Sequence, residues 1–165
     1  MSKDEFVPLG GIIDPLEHNS YEIDNSSNIF EAMGIIKSQT KPASDASEWI
    51  KIKKPELVSM IVDAYVDPEK KKILNVLSDK AFTIPEILDK CNLDSTKGYR
   101  KTKSLIKDGL IKPVGIAPIR NRKKTMEYLA IIDDVKIYID RDIISVLVRF
   151  KKKIIQSKIY NSAPN

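Results

Sequence analysis

Apolar positions recur at helical spacing through the middle of the chain and at alternating spacing beyond it. Leu57, Ile61, Ala64 and Tyr65 repeat every three or four residues. With Pro55 suited to a first helical position, they predict a helix running to Val66. Asp67-Pro68 restarts a helix, the carboxylate capping and the proline at the first position, with Ile73, Leu74 and Leu77 facing inward. Lys70, Lys71 and Lys72 sit in its first two turns, where cations oppose the helix dipole; a polyanionic partner is one reason for them, ordinary solvation another. Thr83 followed by Glu86 is a capping-box pattern at the head of a short helix over 84–91 that would bury Ile84, Ile87 and Leu88. After a tight turn at 92–94, the stretch 95–108 sorts into two faces. Gly98, Thr102, Leu105 and Ile106, continued by Gly109, gather on one side. Thr96, Lys97, Arg100, Lys103, Ser104 and Lys107 gather on the other. Asp94 or Ser95 can cap this helix, and Asp108-Gly109 stops it. Two short helices joined by a tight turn make a helix-turn-helix.

Beyond Gly109 the period falls from 3.6 to 2. Residues 110–111 and 114–119 read as extended pieces broken by Pro113 and Pro118, and residues 121–124 as a basic turn. From 125 to 132 the residues Met126, Tyr128, Ala130 and Ile132 alternate with Glu127, Leu129 and Ile131. This predicts a β-hairpin over 114–131 whose tip carries Arg120, Arg122, Lys123 and Lys124. Asp133-Asp134 reads as a turn rather than a two-carboxylate site. Val135, Ile137 and Ile139, then Ile144, Val146, Val148 and Phe150, favour a second hairpin; Ile143, Leu147, Phe150 and Ile154 also fit a helix reaching about 159. Either element carries more apolar surface than a small domain covers alone, which points to a homodimer contact.

The first part of the chain lacks such periodicity. Gly10-Gly11, Asp14-Pro15 and the polar stretch 38–47 are loop chemistry, and Ile29, Phe30, Met33 and Ile36 fit one short amphipathic helix. Two readings stay open: a mostly disordered leader, or an arm that docks on the globular part or on a second subunit. The expected organisation is a leader over 1–48, a domain over 49–132 and an extension over 133–160.

Charge sharpens this division. The 165 residues carry a formal net charge of +5. Residues 1–50 hold three bases (Lys3, Lys37, Lys41) against nine acids, so the basic excess lies entirely in the rest. A basic domain behind an acidic leader is a pattern of nucleic-acid binding. No apolar run approaches the roughly 20 residues that span a bilayer, and the start MSKDEFVPLGG does not read as a secretion signal. The single cysteine, Cys91, excludes an internal disulfide and suits a reducing cytoplasm.

Catalytic chemistry is hard to assemble. There is one histidine, His18, and Cys91 beside core positions reads as a small buried residue. The Gly-Gly pair lacks phosphate-loop spacing. No catalytic residue, metal or cofactor is expected.

Residues 67–131 resemble the winged helix-turn-helix domain of ArsR-type and related prokaryotic, especially archaeal, transcriptional regulators. The Asp67-Pro68 opening with Ile73-Leu74 is similar to that family's helix start. Thr83-Ile84-Pro85-Glu86-Ile87 resembles its entry to the first helix of the motif, and Leu93 with Leu105, Gly109, Leu110 and Ile111 its closing run. The chain departs from the metal-sensing members, which use paired cysteines or histidines, and places small Gly98 and Thr102 where relatives are bulky. The expected fold is therefore α+β: a three-helix core with a β-hairpin wing, an extra C-terminal β-hairpin and a loosely structured N-terminal leader. The expected function is a homodimeric, cytoplasmic regulator that binds double-stranded DNA. Thr96, Lys97, Tyr99, Arg100 and Lys103 would meet base edges and phosphates from the recognition helix, Ser95 would offer its hydroxyl and backbone N–H to a phosphate, and Arg120, Arg122, Lys123 and Lys124 would grip the backbone from the wing. The alternative is a winged-helix protein-interaction module that does not read DNA. RNA is disfavoured because the strands offer no exposed aromatic platform.

Overall fold

A computed structural model of the chain describes residues 27–32, 49–117 and 123–151. Its elements are β1 (Ile50–Ile52), α1 (Pro55–Val66), α2 (Pro68–Val76), β2 (Phe82–Thr83), α3 (Ile84–Cys91), α4 (Ser95–Lys107), β3 (Ile111–Ile116), β4 (Met126–Ala130), β5 (Ile132–Asp140) and β6 (Ile143–Phe150). One further helical turn spans 29–32. The strands form two antiparallel three-stranded sheets, ordered β2-β4-β3 and β1-β6-β5, so the class is α+β.

The helices begin where local chemistry places them. Asp67 accepts hydrogen bonds from the N–H groups of Glu69 and Lys70 at 2.9 and 3.1 Å, with Pro68 first in α2. At α3 the Glu86 carboxylate accepts from both the backbone N–H and the hydroxyl of Thr83, each at 2.8 Å. Of the two caps the sequence allows for α4, the structure uses Asp94, which accepts from the Lys97 N–H at 3.1 Å. Asn92 takes the left-handed conformation that ends α3, and Gly109 (φ +74°) the one that ends α4.

Helices α2, α3 and α4 pack on one another, and α1 lies against β6. Their buried residues (Leu57 and Ile61; Ile73, Leu74 and Leu77; Ile87 and Cys91; Leu105) share one core with Ile50, Ile52, Ile111, Ile131, Val146 and Val148. Ile131 joins the two sheets: its N–H donates to Leu110, and its carbonyl accepts from Lys151.

Several expectations change. The C-terminal hairpin is present, and β6 is the centre of its sheet because β1, a strand the hydrophobic pattern leaves unassigned, pairs with it through Ile50 opposite Val148. Strand β3 runs through Pro113 instead of breaking there; it is an edge strand, where a missing N–H costs nothing, and its register shifts between Pro113 and Gly115. Asp133 and Asp134 are not a turn. They start β5 beside a register shift and pair with Arg149 at 3.1 and 3.6 Å. Lys70 does not face solvent: it is buried and pairs with Asp63 of α1.

Part of the stretch assigned to the leader belongs to the core. Ile29 and Ala32 are fully buried. The Ile29 N–H donates to the Asp108 carbonyl at 3.0 Å, and the Lys112 ammonium lies 4.0 Å from the Phe30 ring centre. Met33 and Ile36, like the rest of 1–48 apart from this segment, lie outside the described residues.

Candidate nucleic-acid interface

The site is built on α4. Gly98, Thr102 and Leu105 are its buried residues. A Cβ on Gly98 would stand 2.4 Å from Leu88 Cδ2 and 3.0 Å from Leu93 Cβ, so the absence of a side chain lets α4 approach α3 closely. Buried Thr102 satisfies its hydroxyl by donating to the Gly98 carbonyl at 2.9 Å. With this face fixed, the opposite one faces outward: Ser95, Thr96, Lys97, Tyr99, Arg100, Lys103 and Lys107 are all exposed. The structure thus brings the six helix residues expected at the site onto one accessible surface. Lys103 sits 5.3 Å from the Tyr99 ring centre, so this tyrosine helps hold a cation in place.

The face is not uniformly cationic. Lys97 pairs with Glu69 at 2.8 Å, and Lys101 with Asp67 and, at 3.9 Å, with Glu69. The Asp67 carboxylate serves both ends of this contact. One oxygen caps α2 and the other meets Lys101. Burial acts to raise the Asp67 pKa, but the hydrogen bonds from Lys101, Lys70 and Glu69 outweigh it and hold the carboxyl below its usual value. The hydrogen bond and charge of Glu69 raise Lys97, keeping its ammonium protonated. Arg100, Lys103 and Lys107 pair with no acid among the described residues. The cationic surface therefore divides into a flank neutralised by the start of α2 and a ridge through Arg100, Lys103 and Lys107 that makes no ion pair among the described residues.

Ser95 stands beside the Asp94 carboxylate, which occupies the helix N-terminus. Any phosphate approaching Ser95 meets that negative charge. On the β3–β4 pair, Lys123 and Lys124 are exposed where β4 begins, with Ala117 donating to Thr125 at 2.8 Å below them. Arg120 and Arg122 lie outside the described residues.

The acids at the start of α2 are the part of the site that sequence reading missed. Asp67 is legible as a cap, but nothing local signals that its second oxygen reaches a residue on α4. Cys91 is buried, and burial pushes its thiol pKa up, which disfavours the reactive thiolate. Among the described residues no group of three or more His, Cys, Asp or Glu could hold a metal ion, and no helix is long and apolar enough to cross a membrane. No protein-family model matches the chain, and no curated protein matches it.

Proposed function

We propose that this chain is a cytoplasmic, winged-helix DNA-binding transcriptional regulator of ArsR-like type, acting as a homodimer on double-stranded DNA. In this reading α4 enters the major groove and the β3–β4 hairpin is the wing. The observation that carries it is the ridge of Arg100, Lys103 and Lys107, without an ion pair among the described residues, on the outward face of a helix whose other face is locked onto α2 and α3. Thr96 and Tyr99 on the same face offer hydroxyls to base edges, and arginine and lysine at such positions read guanine or hold phosphates. Lys123 and Lys124, with Arg120 and Arg122 from the sequence, supply backbone contacts from the wing. If about six of these cations neutralise phosphates, the logarithm of the affinity falls with the logarithm of salt concentration at a slope near −5.

That slope, measured by fluorescence anisotropy on genomic duplex fragments, tests the reading; a slope near zero removes it. Replacing Arg100 and Lys103 together by alanine should flatten the slope by about two and weaken binding at every sequence. Both side chains are exposed, so the melting temperature should hardly move. The pairing of Lys97 and Lys101 with Glu69 and Asp67 favours the second reading, a winged-helix protein adaptor, because it removes charge that a DNA site would use. A chain that shifts no DNA at low salt supports the adaptor.

A further inference from the structure

Of the eight large hydrophobic side chains exposed among the described residues, five gather at one end of the β1-β6-β5 sheet: Val66, Tyr138, Ile139, Ile143 and Ile144. Ile139 is 74% exposed and lies opposite Ile144 across the β5–β6 ladder, and Ile144 lines a groove with Val66 at the end of α1. Strand β5 is an edge of its sheet, so one side of its backbone has no strand partner among the described residues. An exposed edge with isoleucines beside it is normally avoided or covered.

We infer that β5 is the seam of a homodimer, two copies pairing antiparallel across a two-fold axis that passes through Tyr138. This rests on the dimeric part of the proposed function and does not depend on DNA. In an antiparallel pair the residues directly opposite each other share a face, so a two-fold seam must centre on a residue; Lys136 and Asp140 come opposite each other only when that residue is Tyr138. Centred on Lys136, the seam sets lysine against lysine. Centred on Tyr138, it sets Lys136 against Asp140 of the second copy, twice. It also places Ile137 against Ile139 of the second copy, twice, and the two Tyr138 rings together at the axis.

The two faces of β5 agree with this register. Ile137 lies on the core side, where it packs against the core, and the same face continues to exposed Ile139. Lys136 lies on the other side, 4.2 Å from the Trp49 ring centre, and makes no ion pair among the described residues; neither does Asp140. The seam supplies each with a partner of opposite sign. At its ends Asp134 comes opposite Asp142, and Arg149, 3.6 Å from Asp134, offsets that repulsion. The contact is isologous and closes at two copies, so it covers both edges without propagating into a fibre.

Sedimentation of the full chain without DNA tests this. The wild-type chain should sediment at twice its 18.7 kDa mass in the tens of micromolar range. Lys136→Asp alone and Asp140→Lys alone each set like charges opposite, and each should weaken self-association by about tenfold or more. The double variant Lys136→Asp/Asp140→Lys restores the pairs and should recover the dimer. An equimolar mixture of the two single variants should form a mixed dimer, since one copy then supplies both acids and the other both bases. Unchanged far-ultraviolet dichroism in the single variants separates loss of the seam from loss of the fold. A wild-type monomer across that concentration range overturns the inference, as does a dimer that survives both single substitutions. Salt-dependent DNA binding by a monomer would leave the DNA reading standing while this seam fails.

Discussion

Gly109→Ala tests whether residues 27–32 are a working part of the core. Gly109 stands at φ +74°, a conformation that costs an L-residue about 1–2 kcal/mol. A Cβ there would also sit 2.8 Å from the Phe30 backbone nitrogen and 2.8 Å from Asn28 Oδ1. The backbone nitrogen cannot swing aside as a side-chain end can, because the neighbouring Ile29 N–H is held on Asp108 at 3.0 Å. Overpacking of this kind adds about 1–3 kcal/mol. The total is about 2–5 kcal/mol, a fall in melting temperature of roughly 4–20 °C for a chain of this size. The fold can relieve the clash only by releasing the 27–32 segment, which exposes Ile29. Ile29→Ala alone should cost about 2–5 kcal/mol, since that side chain is fully buried. If Gly109→Ala unseats the segment, the burial of Ile29 is already lost, and the double variant should be scarcely less stable than the worse single one. Thermal and urea unfolding of the four chains provide the cycle. A melting temperature within about 2 °C of wild type for Gly109→Ala would refute the steric reasoning; strict additivity would refute the coupling.

Two further outcomes follow from the charges around α2. Glu69→Gln removes the partner that holds Lys97 at 2.8 Å, so in DNA titrations the salt slope should steepen by about one and binding tighten severalfold at low salt. An unchanged slope means that Lys97 does not meet phosphate. Asp67 and Glu86 have pKa values below their ordinary 3.8 and 4.5, so the stability they contribute is fully present above those values and is lost as the pH falls through the lowered ones. Urea midpoints should therefore hold above about pH 5 and drop below it. Asp67→Asn should start lower and show a shallower acid limb; an acid limb as steep as wild type's would exclude Asp67 from it.

What could be read from the chain alone follows the range of the interactions concerned. The four helices and the caps at Asp67, Thr83–Glu86 and Asp94 depend on residues within one turn of each other, and the buried face of α4 repeats at Gly98, Thr102 and Leu105. Such signals survive in sequence because each is nearly complete locally. Strand β1 is three residues long and acquires meaning only opposite Val146, Leu147 and Val148, so no window around it holds the information. Likewise, the period of Ile29, Phe30, Met33 and Ile36 suggests a short amphipathic helix but not where it docks, which Asp108 and Gly109 decide for Ile29. The candidate site shows the same split. Which side chains face outward on α4 follows from the 3.6 period, whereas which of them keep their charge for a partner does not. Lys97 and Arg100 look equivalent on a helical wheel, and only the packing of α2 beside α4 sets Glu69 against the first while leaving the second without an acid among the described residues. A cationic face read from sequence is therefore an upper bound on the charge a polyanion meets. Here the bound is lowered by acids whose own positions are fixed by the cap of another helix.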